Sequence, residues 1–266
     1  MRLVVVGALG RMGGAAIRAV QITEGVELVG ALVRKGSPYV GCDASSAAQC
    51  DTSSGLLLSD EPEPLFSQAD AVIDFTSPTS SADFAQLSAK AAIVHVIGTT
   101  AITGVEAEII AEASQHIPIV KSNNMSLGAN LVAALVRQTA AILDDSFDVE
   151  ILEMHHRNKK DAPSGTALAL GQAVARGRGA SSINRTVHGE ETPGPRKRGD
   201  VGFATMRGGT VIGEHHVLFA GEAEVIEIAH KVSDRMVFAL GAVIAAKWAF
   251  GKPAGLYSMG DVLGIL

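Results

Sequence analysis

In its first 126 residues this chain alternates between short apolar runs and segments with helical spacing, and this alternation limits its fold more than any other feature. Apolar, β-branched runs separated by helices are typical of a parallel sheet whose two faces are both covered. The sequence therefore predicts an α/β protein with a doubly wound parallel sheet. The predicted strands are Leu3–Val6, Val26–Val33, Ala71–Phe75, Ile93–Ile97 and Ile117–Val120, and the predicted helices are Arg11–Gln21, Ser80–Lys90 and Val105–Gln115.

The second half of the chain has a different pattern. A predicted helix at Leu127–Leu143 and a strand at Phe147–Met154 precede a helix near Ser164–Arg176. Residues Asn184–Asp200 are charged and rich in turn-forming residues, which predicts a loop. The segment Met236–Phe250 is predicted to be the last long helix.

Three strand-like segments follow the predicted loop in quick succession. Their short connections, Arg207-Gly208-Gly209 and Gly221-Glu222, suit antiparallel hairpins. A second, mixed α/β domain is therefore predicted for residues 127–235, and residues 236–266 are expected to return to the domain formed by residues 1–126. The three segments are Gly202–Arg207, Val211–Phe219 and Ala223–Lys231.

Composition excludes several classes of function. The 266 residues carry a formal charge of −6, whereas a nucleic-acid-binding protein needs a basic face. Aromatic residues make up only 4% of the chain, so it has few platforms for stacking bases. No apolar stretch approaches the ~18 residues of a membrane span, and Cys42 and Cys50 lack partners at zinc-site spacing. The sequence predicts a cytoplasmic protein that binds no nucleic acid, membrane or metal.

A glycine-rich loop joins the first predicted strand to the first predicted helix. Its glycines, Gly7, Gly10 and Gly13, fall at every third position, and Leu9 stands where a dinucleotide-binding loop usually has its second glycine. In such folds this loop holds a pyrophosphate against the N–H groups of the helix. Glycines also serve ordinary strand-to-helix turns. The position of the loop at the start of several strand–helix units favours dinucleotide binding.

The end of the second predicted strand bears on the choice of cofactor. Dinucleotide-binding folds often carry an acid there, which holds the ribose hydroxyls. Here Val33 takes that place, followed by Arg34 and Lys35. Two cations would attract the 2′-phosphate of NADPH, although they would also suit a solvated loop. We expect NADPH to be preferred, with NADH as a usable alternative.

Two further loops follow predicted strands. Gly98-Thr99-Thr100 comes after one strand and Ser122-Asn123-Asn124-Met125 after the next. Open α/β sheets bind ligands at the carboxyl ends of their strands, and loops of small residues allow a ring to approach closely. Ordinary turns would have the same composition.

A dense group of ionisable residues, "EMHHRNKKDAPSGTAL", runs from Glu153 to Leu168. Asp161 or Ser164 is placed to cap the following helix, with Pro163 in its first turn. The N–H groups at that helix start and the nearby cations suit a small anion, and a histidine can donate a proton near neutral pH. A solvated run of charges explains the composition equally well.

The segment closely resembles the E-x-H-H-x-x-K-x-D-A-P-S-G-T-A signature of the 4-hydroxy-tetrahydrodipicolinate (dihydrodipicolinate) reductase family. The resemblance extends over nearly the whole chain, through the opening G-x-x-G-R-M-G, Gly98-Thr99-Thr100, Asn124–Gly128 and Gly255–Met259. It implies a Rossmann-like domain plus a mixed α/β substrate-binding and oligomerisation domain, assembled as a homotetramer. It also implies NAD(P)H-dependent reduction of a small cyclic dicarboxylate to tetrahydrodipicolinate, in lysine and diaminopimelate synthesis.

The resemblance also implies a role for individual residues. His155 matches the proton donor and Lys159 the second catalytic cation. His156, Gly165 and Thr166 match the residues that bind the carboxylates of the substrate. Asn158 stands where many members have histidine. The cofactor loops match Gly7, Ala8, Leu9, Gly10, Arg11, Met12, Gly98, Thr99, Thr100, Ser122, Asn123, Asn124 and Met125, to which the residues themselves add Arg34.

Two other functions compete with this interpretation. One is another Rossmann oxidoreductase acting on a small dicarboxylate, such as a semialdehyde dehydrogenase. That enzyme needs a nucleophilic cysteine, and Cys42 and Cys50 are far in sequence from the His155 segment. A non-catalytic protein that senses NADP would have no need of His155 and Lys159 beside an anion-binding helix start.

Overall fold

The computed structural model describes residues 1–50, 55–187 and 195–265. These residues form two compact units: Met1–Leu127 with Arg235–Ile265, and Gly128–Asp234. Of the predicted loop between Asn184 and Asp200, residues 188–194 lie outside the described residues.

In the described chain, the first unit contains a seven-stranded sheet with helices around it. Its strands are β1 (Arg2–Val6), β2 (Glu27–Leu32), β3 (Leu58–Ser59), β4 (Ala71–Asp74), β5 (Val94–Ile97), β6 (Pro118–Lys121) and β12 (Gly255–Tyr257), and its helices are α1 (Arg11–Ile22), α2 (Ala44–Ala47), α3 (Pro62–Phe66), α4 (Pro78–Ala91), α5 (Gly104–Ala113), α8 (Met236–Ala249) and α9 (Met259–Leu263). The strands lie in the order β3-β2-β1-β4-β5-β6-β12, and all neighbouring strands are parallel. The strand order reverses between β1 and β4, where doubly wound folds bind their ligands.

Strand β1 shows why both faces of this sheet are covered. Leu3 and Val5 point to the face packed by α1 and α8, while Val4 and Val6 point to the face packed by α3 and α4. All four side chains are buried, since successive residues of a strand face opposite sides. Burial of such a side chain contributes about 1.5–3 kcal/mol, so an unbroken apolar run stabilises a sheet only when helices cover both faces. The predicted fold class is confirmed.

The second unit contains a mixed sheet and two helices within the described residues. The elements are α6 (Leu127–Ile142), β7 (Asp148–His155), α7 (Gly165–Gly177), β8 (Arg185–Val187), β9 (Val201–Arg207), β10 (Gly213–Ala220) and β11 (Val225–Val232). The strands lie in the order β11-β10-β7-β9-β8. Helices α6 and α7 pack on one face of this sheet through small and aliphatic residues such as Val136, Leu170 and Val174.

One of the two predicted hairpins is correct. Strands β10 and β11 pair antiparallel across Gly221-Glu222, as expected. The hairpin predicted at Arg207-Gly208-Gly209 is wrong, because β9 pairs parallel with β7 and β10 pairs antiparallel with the opposite edge of β7. The connection crosses the end of β7 instead, where the N–H of Gly208 donates to the carbonyl of His155 at 2.9 Å. A short turn-forming sequence does not reveal that an earlier strand, here β7, lies between the two strands that it connects.

The elements that sequence patterns missed are all short. They are α2, β3 and α3 in the first unit, β12 and α9 near the end of the chain, and β8, which lies inside the predicted loop Asn184–Asp200. None exceeds five residues, which is too few to establish a period. Among the described residues, no helix is both long and apolar enough to cross a membrane.

Candidate active site

The loops predicted to bind the cofactor all lie at one edge of the first sheet. They follow β1, β2, β5 and β6, and the carboxyl ends of parallel strands lie on the same side of a sheet. Gly7, after β1, approaches Thr76, after β4, so closely that a Cβ on the glycine would lie 2.8 Å from Thr76 Cγ2. The loops after β1 and β4 are therefore in close contact at the point where the strand order reverses.

The glycine loop allows close contact between strand and helix. Gly7 has φ +70°, and a Cβ on Gly13 would lie 2.1 Å from the carbonyl oxygen of Gly7. Helix α1 begins at the N-cap Gly10, where no side chain caps the N–H groups of the first turn. Leu9 and Arg11 on either side of it are exposed, Ala8 is buried and Met12 half-buried. These residues fit a pyrophosphate, because bare N–H groups at a helix start attract anions.

The loop after β5 offers its backbone more than its side chains. Thr99 is buried, and its hydroxyl lies 2.9 Å from that of Ser81 and 3.4 Å from Asp74 Oδ1. A Cβ on Gly98 would lie 2.1 Å from the ring of Phe75, so only glycine fits there. Thr100, the third residue of this loop, is exposed at the edge.

The loop after β6 is braced by its own hydrogen bonds. Ser122 Oγ donates to the carbonyl of Asn124 at 2.8 Å, and the N–H of Ser126 donates to Asn124 Oδ1 at 2.9 Å. Asn123 is exposed. Met125 is buried in the core of the first unit, so its side chain is not available to a ligand.

The end of β2 presents its cations to solvent. Val33 is buried and its N–H donates to the carbonyl of Ser59, whereas Arg34 and Lys35 are exposed. The following residue, Gly36, donates its N–H to Asp60 Oδ2 at 2.8 Å. Arg34 is therefore placed at the same sheet edge as the glycine loop, on a turn held by a carboxylate.

The ionisable cluster of the second unit is built on the carboxyl end of β7. Glu153 and His155 are two residues apart and therefore share a face of the sheet. Strand register places Thr205 and His215 beside Glu153, and Arg207 beside His155. We call these five residues and Ser164 the β7 cluster.

Glu153 is the centre of the β7 cluster. Arg207 donates to both of its carboxylate oxygens at 2.8 Å, through Nη1 and Nη2. His155 Nδ1 lies 2.5 Å from Oε2, while Thr205 Oγ1 and the N–H of Ser164 donate to Oε1 at 3.2 and 3.1 Å. Glu153 is 1% exposed, and a carboxylate so buried needs this many donors to remain charged.

Two pKa values in the cluster are displaced. Burial alone would raise the pKa of Glu153, but the hydrogen bonds and charges of His155 and Arg207 outweigh it and lower the pKa to about 2. For His215, burial and the neighbouring His155 lower the pKa to about 4. At neutral pH the cluster therefore contains a charged Glu153 and an uncharged His215, whose ring lies edge-on to that of His155 with centroids 5.1 Å apart.

Helix α7 starts beside the cluster. Its N-cap is Ser164, whose Oγ accepts from the N–H of Ala167 at 3.1 Å and lies 2.9 Å from His215 Nε2. Of the two predicted caps, Asp161 is therefore wrong. Pro163 also precedes the helix and is not in its first turn, which begins at Gly165. Gly165 is exposed, and a Cβ there would meet no atom within 4 Å, so the helix start is open to a ligand.

The other residues predicted to act on the substrate lie close to this helix start in sequence. Lys159 Nζ pairs with Asp161 Oδ2 at 2.9 Å, and the lysine side chain is largely covered while that of Asp161 is exposed. His156 and Thr166 are half-buried. In the portion of the chain that is described, no group of three or more histidine, cysteine, aspartate or glutamate residues could hold a metal ion.

Two family models together match nearly the whole chain. Residues 1–125 match the family described as dihydrodipicolinate reductase, N-terminus, and residues 128–263 match dihydrodipicolinate reductase, C-terminus. The chain belongs to the dihydrodipicolinate reductase family. The resemblance seen in the sequence is confirmed.

Individual relatives match over the full length. The 4-hydroxy-tetrahydrodipicolinate reductase of Brucella abortus (strain 2308) is 53% identical over 267 residues, which cover 100% of this chain and 99% of the relative. That of Parvibaculum lavamentivorans is 51% identical over 266 residues, covering 100% and 98%. A solved structure, a dipicolinate-bound dihydrodipicolinate reductase from Paenisporosarcina sp. TG-14, is 25% identical with a TM-score of 0.76, covering 100% of this chain and 99% of that one.

These findings favour the reductase over both alternatives. The full-length relatives are named as enzymes, whereas relatives of a non-catalytic sensor would not be. Cys42 and Cys50 both lie in the first unit, whereas the β7 cluster lies in the second and contains no cysteine. The thiol that a semialdehyde dehydrogenase requires is therefore missing from this cluster.

Sequence reasoning assigned no role to most of the β7 cluster. Glu153 appeared in the sequence analysis only as the first residue of the signature. Because residues two apart on a strand lie on the same face, the contact between Glu153 and His155 could have been predicted. Arg207 and His215 lie on separate strands, 54 and 51 residues from their hydrogen-bond partners Glu153 and Ser164. No local pattern could have joined them.

Proposed function

We propose that this chain is the NAD(P)H-dependent reductase that converts 4-hydroxy-tetrahydrodipicolinate, through dihydrodipicolinate, to tetrahydrodipicolinate in lysine and diaminopimelate biosynthesis. The observation that carries the proposal is the 2.5 Å contact between Glu153 and His155 beside the open start of α7. It places an oriented imidazole next to a site for anions, within a family whose members bear this name.

The first unit, predicted as residues 1–126 and 236–266, would hold the nicotinamide cofactor. The glycine loop would hold the pyrophosphate, and the loops after β5 and β6 would lie against the nicotinamide. When bound, the reduced nicotinamide supplies a hydride. The finer prediction is that NADPH is preferred, since the exposed Arg34 can meet a 2′-phosphate and the buried Val33 cannot accept bonds from ribose hydroxyls.

The second unit, predicted as residues 127–235, would bind the dicarboxylate. The start of α7 at Gly165 and Thr166 offers N–H groups to one carboxylate, and His156 and Lys159 add positive charge. Lys159 would exchange its exposed partner Asp161 for the substrate, an exchange of small cost because exposed ion pairs are worth about 0–1 kcal/mol.

His155 would supply the proton of the reaction. Glu153 receives Nδ1–H, so the proton to be donated stands on Nε2, at the opposite side of the ring. A side chain at Gly213 would come within 3.1 Å of Nε2, and the glycine therefore keeps that nitrogen accessible. The charged Glu153 also stabilises the imidazolium, while the neutral His215 adds no opposing charge.

We also propose a cytoplasmic homotetramer formed through the open face of the second sheet. Leu152 and Leu218 alternate with residues that pack on α6 and α7 and so point to the opposite face. On the same face Met206 is 45% exposed. Apolar side chains exposed on a sheet face beside charged ones such as Glu150 and Glu214 favour an interface with another protein surface. Sedimentation analysis of the wild type and of Leu218→Glu tests this, and a monomeric wild type would contradict it.

A coupled assay tests the proposed reaction. The upstream synthase would make the substrate freshly from pyruvate and aspartate semialdehyde, and consumption of NADPH would be followed by absorbance. We expect turnover that depends on the synthase. Binding of NADPH without turnover would favour the sensor, and turnover of the semialdehyde without synthase would favour the dehydrogenase.

A further inference from the structure

A buried carboxylate contacts the proposed cofactor loop after β5 and, through Thr76, adjoins the glycine loop after β1. Asp74, the last residue of β4, is fully buried. Its Oδ1 accepts from the N–H of Thr76 at 2.8 Å and from Thr76 Oγ1 at 2.6 Å, and Thr99 Oγ1 lies 3.4 Å away. Ser81 of α4 holds Thr99 in turn, at 2.9 Å. One oxygen atom is thus shared by the ends of two neighbouring strands.

The other oxygen of Asp74 faces a histidine. His95 Nε2 lies 3.4 Å from Oδ2, and neither side chain is exposed. The two residues are diagonal neighbours on β4 and β5, on the face covered by α4. Burial alone would raise the pKa of Asp74, but His95 and the hydrogen bond from Thr76 hold it below its ordinary value. His95 is the one ion-pairing partner of Asp74 in the described parts of the chain.

The residues held by Asp74 lie where the cofactor is proposed to bind. The methyl group of Thr76 fills the space where Gly7 would carry a Cβ, so the position of Thr76 fixes the wall of the glycine loop. Thr99 belongs to the loop after β5. We infer that Asp74 is a positioning residue for the nicotinamide cofactor, setting the spacing between these two loops, and that His95 supports its second oxygen from behind. This inference rests on the proposed placement of the cofactor at this sheet edge.

The test compares the equilibrium Kd for NADPH, measured without substrate by nicotinamide fluorescence, among three variants. Asp74→Ala removes the shared acceptor, whereas Asp74→Asn keeps an oxygen in its place. Ser88→Ala is the matched control, since Ser88 is equally buried on α4 and its hydroxyl has no hydrogen-bond partner within the described residues. Loss of a buried acceptor should raise Kd roughly tenfold in Asp74→Ala, with Asp74→Asn within about threefold of wild type and Ser88→Ala unchanged.

The KM for the dicarboxylate at saturating NADPH should stay unchanged, which separates positioning of the cofactor from general damage. A folded Asp74→Ala with wild-type Kd, or an equal loss in Asp74→Asn, would overturn the inference. If Asp74→Ala does not fold, Thr76→Val takes its place, because it keeps the methyl group beside Gly7 and removes the hydroxyl. A wild-type Kd in that variant would also overturn it. Failure of the wild type itself to bind NADPH would instead overturn the proposed cofactor site.

The role of His95 needs a separate comparison. His95→Leu leaves the buried carboxylate without its partner and should raise Kd about tenfold. The double variant His95→Leu/Asp74→Asn has no buried charge and should recover most of that loss. No recovery would show that His95 does not act through the carboxylate of Asp74.

Discussion

Nδ1 of His155 lies 2.5 Å from Oε2 of Glu153, a carboxylate that Arg207 holds through both of its oxygens. The contact fixes the imidazole ring and its tautomer, so that a proton bound at Nε2 faces away from the carboxylate. Glu153 and Arg207, on two adjacent strands, thus orient the imidazole that we propose as the proton donor. The following predictions test this arrangement and the cofactor site.

Replacing His155 by glutamine should lower kcat by about 10²–10⁴-fold, because general acid catalysis typically contributes that much. The Kd for NADPH should not change, since His155 lies in the second unit. Steady-state kinetics and nicotinamide fluorescence measure the two quantities. His116→Gln, at an exposed turn, is the control. A kcat within a few-fold of wild type would assign the proton to another group.

Lys159→Ala should reduce kcat/KM by roughly tenfold to hundredfold, as expected for loss of a hydrogen bond from a charged group to a carboxylate. The melting temperature should change little, because the ion pair with the exposed Asp161 contributes about 0–1 kcal/mol. Lys160→Ala, next in the chain and exposed, is the matched control. Equal and small effects at both positions would indicate a solvated run of charges.

Arg34→Ala should reduce the preference for NADPH over NADH roughly tenfold to hundredfold, since one charged hydrogen bond to the 2′-phosphate is worth about 1.5–3 kcal/mol. The measurement is the ratio of kcat/KM for the two cofactors in the wild type, Arg34→Ala and Lys35→Ala. Equal use of both cofactors by the wild type, or an unchanged ratio in Arg34→Ala, would make Arg34 a surface charge only.

Glu153 should make the free energy of unfolding depend on pH in the acidic range. Its folded pKa of about 2 lies below its ordinary value, so its contribution is complete above pH ~4.5 and is lost as pH falls toward 2. The loss is on the order of 3 kcal/mol at most, since each tenfold difference in proton affinity is worth about 1.4 kcal/mol. Urea unfolding at several pH values should show a weaker dependence in Glu153→Gln than in the wild type. Parallel curves for the two proteins would contradict the assigned charge.

His215 should make the stability of the protein depend on pH in a separate, higher range. With a folded pKa of about 4, it stays uncharged while the unfolded imidazole takes up a proton, so the free energy of unfolding should fall between pH ~6.5 and 4. In His215→Asn, the free energy of unfolding should depend less steeply on pH in that range, by the equivalent of up to one bound proton. The expected result is a difference confined to this range, whereas Glu153→Gln should differ below it. An unchanged slope would mean that His215 is charged in the folded protein.

The sequence by itself determined the fold class and the location of the proposed chemistry. Apolar runs such as Leu3–Val6 can be buried only between two layers of helices, which led to the doubly wound sheet. The signature from Glu153 to Leu168 identified the family and the helix start. Short elements such as α2 and β8 could not be predicted, because so few residues carry no period.

Only the tertiary structure decided which side chains surround His155 and Thr99. Arg207 contacts Glu153, and His215 contacts Ser164, because β9 and β10 lie on opposite sides of β7. The predicted hairpin would have placed β9 and β10 next to each other. Asp74 meets His95 because β4 and β5 are neighbours in one register. Strand order and register are set by the packing of whole faces against helices, so no local run of residues encodes them.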